Sequence, residues 1–260
     1  MYNFLHNILS DKTGGEIFTL FSLWHFFYIF LTAGTVILVL YFSKLKSSPE
    51  KIKAIQIFIN IAFGLYMADF FLMPLAYGKI DIEKLPFHAC TSMCIMCFAS
   101  NHNKFLAKYH TSFAMLGFIS NLIYLLYPAG VMWYNIHPLS YRVIQTLIFH
   151  SVMTVYCLLT LIYEREKIIF KKIHKDLMVI VCLTLWAIIG SYVYSGEMEG
   201  YSNFFNWFFV VRDPFYIFPE SISKIIMPFL NILLFFAVEV IIHLIISQSK
   251  KQSKQKARAL

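Results

Sequence analysis

The sequence predicts an all-α integral membrane protein, a bundle of about seven transmembrane helices with its N-terminus outside the cytoplasm and its C-terminus inside. Hydrophobic residues make up 59% of the 260-residue chain, and the mean hydropathy is +0.65. Only 14% of the residues are charged, about half the usual share in soluble domains. A water-soluble fold could not bury this much apolar surface, so a bilayer must cover part of it.

Seven apolar segments are predicted to span the membrane, and most are long enough to cross about 30 Å of hydrocarbon. They lie near residues 17–42, 54–76, 86–100, 106–127, 141–163, 177–195 and 225–247. The third segment is short and rich in Cys, Ser and Thr. Two interpretations of it stay open, a complete crossing or a re-entrant helix that lines a cavity. We expect the first span to serve as an uncleaved signal.

The distribution of basic residues predicts the orientation. Of the 22 Lys and Arg residues, 16 fall in segments predicted to be cytoplasmic, and the other six fall on the opposite side. Cytoplasmic loops are enriched in Lys and Arg, so this bias favours the seven-span segmentation and a plasma-membrane location. The net charge of +8 predicts contact with anionic membrane lipids. Nucleic-acid binding is not expected, because no basic domain stands apart from the spans.

We predict a single transmembrane helical domain, residues 1–248, followed by a disordered basic cytoplasmic tail, residues 249–260. The longest stretch between spans, residues 196–223, is rich in aromatic residues. It is interpreted either as a lid on the outer headgroups or as a plain aromatic belt. All five cysteines lie in apolar segments, so no disulfide framework is expected. No cofactor or metal site is predicted, because no tight ligand spacing occurs.

Ionisable side chains inside hydrocarbon are costly, and they mark either function or a satisfied contact between helices. Polar residues recur every four positions of the fifth span and therefore share one helical face. They are Arg142, Thr146, His150 and Thr154. Counting residues from the outer interface places a polar group from each of five spans in one layer of the outer half of the membrane. These groups are His25, Asp69, Cys90, Asn121 and His150.

Several of these polar residues also have a structural interpretation. A cysteine within a span usually acts as a small apolar residue, and this applies to the four cysteines other than Cys90. His25 could bond a neighbouring helix, and Asp69 could pair with a histidine or a backbone group. Glu239 and His243 lie one turn apart on the last span and are interpreted as a structural pair.

Cys90 and His150 are the chemically reactive pair. A thiol beside an imidazole can lose its proton and attack an acyl carbon. Thr146 or Asn121 could stabilise the resulting oxyanion. From spacing alone, a catalytic pair and two unrelated polar residues both remain open, because no local motif defines the site.

Short motifs resemble the YwaF family of bacterial membrane proteins. Residues 85–90, Leu-Pro-Phe-His-Ala-Cys, resemble the Leu-Pro-x-His-x-Cys signature of that family. Further stretches are similar to family segments in the same order: residues 18–25, 141–151 and 203–214. The family is similar to the eukaryotic transmembrane protein 164, an acyltransferase that acts on ether lysophospholipids. The resemblance covers about residues 16–245, with Ser151 where family members often have glycine.

The resemblance implies a Cys–His acyl-transfer site, with Cys90 as the nucleophile and His150 as the base. The prediction is therefore a lipid acyltransferase or acyl hydrolase that acts on phospholipid or lysophospholipid chains through an acyl-thioester on cysteine. Its partners would be membrane lipids. The residues expected to support the site or bind substrate are His25, Asp69, His88, Asn121, Arg142, Thr146 and Asn203.

A non-enzymatic binder or transporter of a small amphipathic ligand is the alternative function. The same polar layer would then coordinate the ligand within the membrane. The sequence shows no inverted repeat and few Gly or Pro breaks in its helices, which disfavours transport. A retinal-type receptor is excluded, because it needs a lysine deep in the last span and residues 225–247 contain none.

Overall fold

The structure is a computed structural model that describes residues 2–12, 14–78, 84–132, 135–193, 207–211 and 217–259. Every regular element within these ranges is helical, which confirms the all-α prediction for them. The α-helices are α1 Tyr2–Leu9, α2 Leu23–Phe42, α3 Ser48–Tyr77, α4 Ala89–Ser100, α5 His110–Leu126, α6 Ala129–Met132, α7 Tyr141–Tyr163, α8 His174–Val193 and α9 Glu220–Ala259. Short 3₁₀ turns occupy Leu106–Tyr109, Arg165–Lys167, Phe170–Lys172 and Trp207–Phe209.

Within the described residues, six helical stretches are long and apolar enough to cross a membrane. They are Leu23–Phe42, Ser48–Leu75, Leu106–Met132, Tyr141–Tyr163, Phe170–Val193 and Ser221–Gln252. The predicted third span is the 12-residue helix α4. At 1.5 Å per residue α4 is about 18 Å long, shorter than the roughly 30 Å hydrocarbon core. The fold supports a multi-pass membrane protein, and the number of crossings depends on α4.

Side chains define where the first spans begin and end. Ser22 caps α2 by accepting a hydrogen bond from the His25 N–H at 3.3 Å. Ser47 precedes α3 and forms a capping box, in which its own N–H donates to the Glu50 carboxylate at 2.8 Å. Gly78 ends α3 with φ 70°, a left-handed conformation that glycine adopts without strain.

Contacts divide the chain into two compact units, Met1–Leu85 with Gly117–Tyr163, and Pro86–Leu116 with Glu164–Leu260. The single transmembrane domain that the sequence predicts stays a prediction. Each unit combines segments that are distant along the chain, and hydropathy alone does not show which distant helices pack together.

Helix α7 forms the centre of the first unit. It packs against α2 and α3 and also contacts α1 and α6. In its most apolar window 67% of the residues are buried, against 22% for α2 and 28% for α3. The N-terminal segment is tied to the residues before α7, because the Phe18 N–H donates to the Ile136 carbonyl and the His137 N–H donates to the Lys12 carbonyl. On the polar face of α7, His150 and Thr154 are buried, whereas Arg142 and Thr146 are half-buried.

In the second unit α8 packs against α9, and residues on both sides of α4 bond to α8. The Trp186 indole, near the end of α8, donates to the Pro86 carbonyl at 2.7 Å. The Lys175 ammonium, at the start of α8, donates to the Lys108 carbonyl at 2.9 Å. The eleven-residue separation of Trp186 and Lys175 corresponds to roughly 17 Å of helix. The segment from Pro86 to Lys108 therefore covers most of the length of α8.

Helix α9 exposes apolar side chains that need a lipid environment. Only 17% of its most apolar window is buried, and Phe229, Leu233 and Ile241 are among its exposed residues. Acyl chains can cover such a surface, whereas water could not without a large cost. The helix continues to Ala259 and so includes most of the tail that the sequence predicts to be disordered. Lys, Gln, Arg and Ala favour helix, so a helix that has already begun can extend through them.

Candidate functional site

His150 is buried on α7, and its hydrogen bond to a neighbouring amide indicates which ring nitrogen carries the proton. The His150 Nδ1 lies 2.8 Å from the Asn121 Oδ1 on α5. The Asn121 Nδ2 donates to the Gly117 carbonyl one turn earlier at 2.7 Å, so the amide oxygen must face the ring. An oxygen acceptor requires the proton on Nδ1, and the basic lone pair of the imidazole is therefore on Nε2.

Aromatic side chains hold the His150 ring in place. Tyr124 stacks on it with the ring centroids 3.8 Å apart and the planes 15° apart. Phe149 meets the ring edge-on at 5.2 Å. Orientation by an amide on one nitrogen and by a stacked ring on one face is what a general base needs. Tyr124 has no predicted role, although its spacing of three residues from Asn121 places both on one face of α5.

The structure gives Asn121 a different position from the one that the sequence predicts. Sequence reasoning places Asn121 or Thr146 at an oxyanion, whereas the Asn121 carbonyl oxygen faces the imidazole. The Asn121 amide therefore contacts the His150 ring through its oxygen, and its oxyanion role also stays a prediction. The Thr146 hydroxyl lies 3.4 Å from the Gln145 side-chain oxygen, and its oxyanion role stays a prediction.

His25 is a structural link between α2 and α5. It is fully buried, its Nδ1 accepts the Phe21 N–H at 3.0 Å, and its Nε2 donates to the Leu125 carbonyl at 2.8 Å. Both ring nitrogens are therefore used in contacts at helix ends. Phe21 has φ 60°, which is rare for a phenylalanine, and the bond to His25 holds it there. These contacts favour the structural interpretation of His25.

Asp69 and Arg142 each form an ion pair within the first unit. The Asp69 Oδ2 lies 2.7 Å from the Lys84 Nζ, and the Asp69 side chain is almost fully buried. Its partner is thus a lysine, where the sequence suggests a histidine or a backbone group. The Arg142 Nε contacts both carboxylate oxygens of Asp11 at 3.2 and 3.1 Å. Both pairs tie a chain segment to the end of a span.

Cys90 lies in the first turn of α4, in the second unit. His88 is the N-cap of this helix, and the Cys90 side chain is partly exposed. The first turn of a helix has N–H groups without intrahelical acceptors, and their positive potential stabilises a nearby thiolate. His88 is exposed and meets the Trp207 ring edge-on at 6.4 Å.

The residues that begin α4 are held by packing against α8. The Pro86 carbonyl accepts hydrogen bonds from the Ser92 hydroxyl at 2.6 Å and from the Trp186 indole at 2.7 Å. The Phe87 ring lies 4.8 Å from the rings of both Trp186 and Trp207. The motif that contains the predicted nucleophile therefore has a defined position within this unit.

Part of the aromatic stretch 196–223 is described, and it packs into the protein. Trp207 and Phe208 are buried, and the Asn231 side chain on α9 donates to the carbonyls of Phe208 and Phe209 at 2.6 and 3.1 Å. Both phenylalanines have φ 53°, so these two bonds stabilise a strained turn. Residues 207–211 therefore pack against α9 as part of the second unit.

The predicted site residues fall in both units. The first unit contains His25, Asp69, Asn121, Arg142, Thr146 and His150, and the second contains His88 and Cys90. Asn203 lies outside the described residues. The pairing of Cys90 with His150 stays a prediction. No group of three or more His, Cys, Asp or Glu residues suited to a metal ion occurs in the described ranges.

The fold defines the chain as a multi-pass helical membrane protein. Comparisons with family models, characterised proteins and solved structures give no match to it. The resemblance to the YwaF family, and the chemistry that it implies, therefore stay predictions from the motifs.

Gly190 allows Phe87 to lie against α8, and this contact predicts the effect of a substitution. A Cβ at position 190 would lie 2.4 Å from atoms of the Phe87 ring, which two indoles hold in place. We expect Gly190→Ala to lower the free energy of unfolding by about 1–3 kcal/mol through overpacking. Thermal unfolding of the purified protein in detergent measures the change.

Gly64→Ala is the matched control for Gly190→Ala. Apart from its chain neighbours and the backbone of its own helix, no described residue has a heavy atom within 4 Å of a Cβ at position 64 on α3. Alanine also favours helix over glycine by about 0.5–1 kcal/mol, so this variant should melt at the wild-type temperature or above it. Equal unfolding temperatures for the two variants would contradict the described packing of Phe87.

Proposed function

We propose that the protein is a membrane-embedded lipid acyltransferase or acyl hydrolase that acts on the acyl chains of phospholipids or lysophospholipids. The observation that carries this proposal is the buried His150 imidazole, which Asn121 orients so that its basic lone pair is on Nε2. An asparagine behind a histidine is also the arrangement that orients the base in Cys-His-Asn acyl-transfer enzymes.

In the proposed first step, Cys90 becomes acylated. The His150 Nε2 accepts the thiol proton, and the sulfur attacks the ester carbonyl carbon of a lipid. The carbon–oxygen bond of the ester breaks, and the lysolipid oxygen leaves with the proton from the imidazolium. The acyl chain remains on Cys90 as a thioester.

In the second step the acyl chain leaves the enzyme. The hydroxyl of an acceptor lysophospholipid gives its proton to His150 and attacks the thioester carbon, and the thiolate leaves and takes up that proton. Water in place of the lysophospholipid makes the protein a hydrolase. The mechanism requires the side chains of Cys90 and His150 to meet within the membrane. The helix start at Cys90 and the resemblance of residues 85–90 to the YwaF signature support the thiol as nucleophile.

We also propose seven crossings of the plasma membrane, with the N-terminus outside and the C-terminus in the cytoplasm. Three basic segments meet at one end of the second unit, where Lys175 donates to the Lys108 carbonyl and Lys250 donates to the Ile168 carbonyl. All three are predicted to be cytoplasmic. A six-span count would put residues 44–53 and 165–175 on opposite sides of the membrane, against the enrichment of basic residues on one side.

Reporter fusions test whether α4 completes a crossing. Alkaline phosphatase needs disulfides that form only outside the cytoplasm. We expect a fusion after Asn103 to be inactive and a fusion after Asn135 to be active. The opposite pattern would show that α4 is re-entrant and that the seven-span topology is wrong.

Removal of the thiol tests the proposed nucleophile. We expect Cys90→Ala to abolish acyl transfer without loss of expression, because no thioester can form. Lipidomics of cells with the wild type, with the variant and without the protein measures the change. Cys182→Ala removes an exposed cysteine on α8 and should retain activity. Full activity of Cys90→Ala would end the proposal, and ligand binding without turnover would favour a non-enzymatic binder.

Loss of the amide tests whether Asn121 orients the base. We expect Asn121→Ala to lower kcat by roughly 10- to 100-fold with little change in KM, because the imidazole loses its fixed tautomer. Ser120→Ala is the control, since the Ser120 hydroxyl donates to the same Gly117 carbonyl but no described bond joins it to His150. Equal kcat values in the two variants would contradict the orienting role.

A further inference from the structure

A cavity of about 520 Å³ lies in the second unit, at the end where the basic segments meet. Its lining comes from some of the residues in segments 107–115 and 164–176, and from His243 of α9. The volume is within the usual range of small-molecule sites, about 300–1,000 Å³. None of the described residues predicted for acyl transfer lines this cavity, so it is treated as a separate feature.

The buried part of the cavity is acidic. Glu164 is 6% exposed, and its Oε1 accepts a hydrogen bond from the Lys167 ammonium at 2.6 Å. Its Oε2 is buried and has no hydrogen-bond partner among the described residues. Asp176, also buried, bonds the His243 Nε2 through its Oδ2 at 2.6 Å. A buried carboxylate oxygen without a donor is costly, so this wall favours a ligand that carries N–H donors and a positive charge.

The exposed part of the cavity carries lysines and one described carboxylate, Glu166, which already pairs with Arg165 and Lys250. Lys108 and Lys172 line it, are exposed, and form no ion pair with any described residue. The Lys108 ammonium lies 5.8 Å from the centroid of the Phe105 ring. Two ammonium groups without carboxylate partners favour an anionic group at this end of the cavity.

We propose that the cavity binds a zwitterion in which a primary ammonium is joined to a phosphate. The ammonium donates to the Glu164 Oε2, and the phosphate lies near Lys108 and Lys172. An anion without an ammonium group would be repelled by the buried carboxylates. A cation without a phosphate would be repelled by the two lysines. The shared ligand chemistry is phosphoethanolamine, whose source is either a phospholipid headgroup or the free compound.

Binding of defined lipids tests the ligand class. The full-length protein in detergent is titrated with phosphatidylethanolamine, phosphatidylcholine and phosphatidylglycerol, and bound lipid is counted by native mass spectrometry. We expect phosphatidylethanolamine to bind about tenfold more tightly than either of the others. Choline has no N–H for Glu164, and glycerol has no ammonium. Free phosphoethanolamine is titrated by calorimetry in parallel.

The outcomes separate the two sources. Selective binding of phosphatidylethanolamine alone identifies a lipid headgroup, and heat of binding from free phosphoethanolamine identifies the free compound. Equal binding of the three lipids together with no heat from the free compound overturns the proposal. Tighter binding of phosphatidylglycerol also overturns it, because the site would then recognise only an anion.

Variants test whether phosphatidylethanolamine binds in this cavity. We expect Glu164→Gln and Lys172→Ala each to weaken binding about tenfold. Lys171→Ala is the control, because Lys171 is the adjacent exposed lysine and does not line the cavity. If Glu164→Gln does not fold, Lys172→Ala decides alone, and wild-type binding by that variant overturns the proposal. Cys90→Ala should bind normally, which separates this site from the proposed acyl transfer.

Discussion

A polar group in hydrocarbon has no water to bond, so it must find a partner in the protein or serve a ligand. This constraint accounts for the contacts of three buried polar side chains in the first unit. The ring of His25 bonds the end of α5, Asp69 bonds Lys84, and His150 bonds Asn121. These two buried histidines differ in their contacts. His25 uses both ring nitrogens to join helices, whereas the bond from Asn121 to His150 involves one nitrogen and sets the tautomer of that ring.

Hydropathy and periodicity predict the helices well because both depend on local sequence. The inward polar face of α7 follows from a four-residue spacing that a helix must place on one side. The division into two units does not follow from such signals, since α8 and α9 are distant in sequence from α4. The length of α4 also differed from the prediction, because the apolar run from Pro86 includes three residues that precede the first helical turn.

The candidate site could be predicted in its residue types but not in its contacts. The sequence predicts both Asn121 and His150 for the site, yet no spacing rule shows that the amide oxygen of Asn121 faces the His150 ring. Two contacts depend on tertiary packing: the ion pair of Asp69 with a lysine, and the close approach of the Phe87 ring to Gly190. The cavity beside Glu164 was missed because its residues look like ordinary charged loop residues in sequence. Only the structure shows that a buried carboxylate oxygen without a donor lines the same cavity as two lysines that form no ion pair with any described residue.

A covalent acyl-enzyme is the central claim of the proposed function. Intact-protein and peptide mass spectrometry of the purified protein, after incubation with phospholipid, measures it directly. The account predicts an acyl mass increment on the peptide that contains Cys90, its release by hydroxylamine, and its loss in His150→Ala. Acyl transfer that proceeds without this adduct, or with an adduct on another residue, would contradict the account.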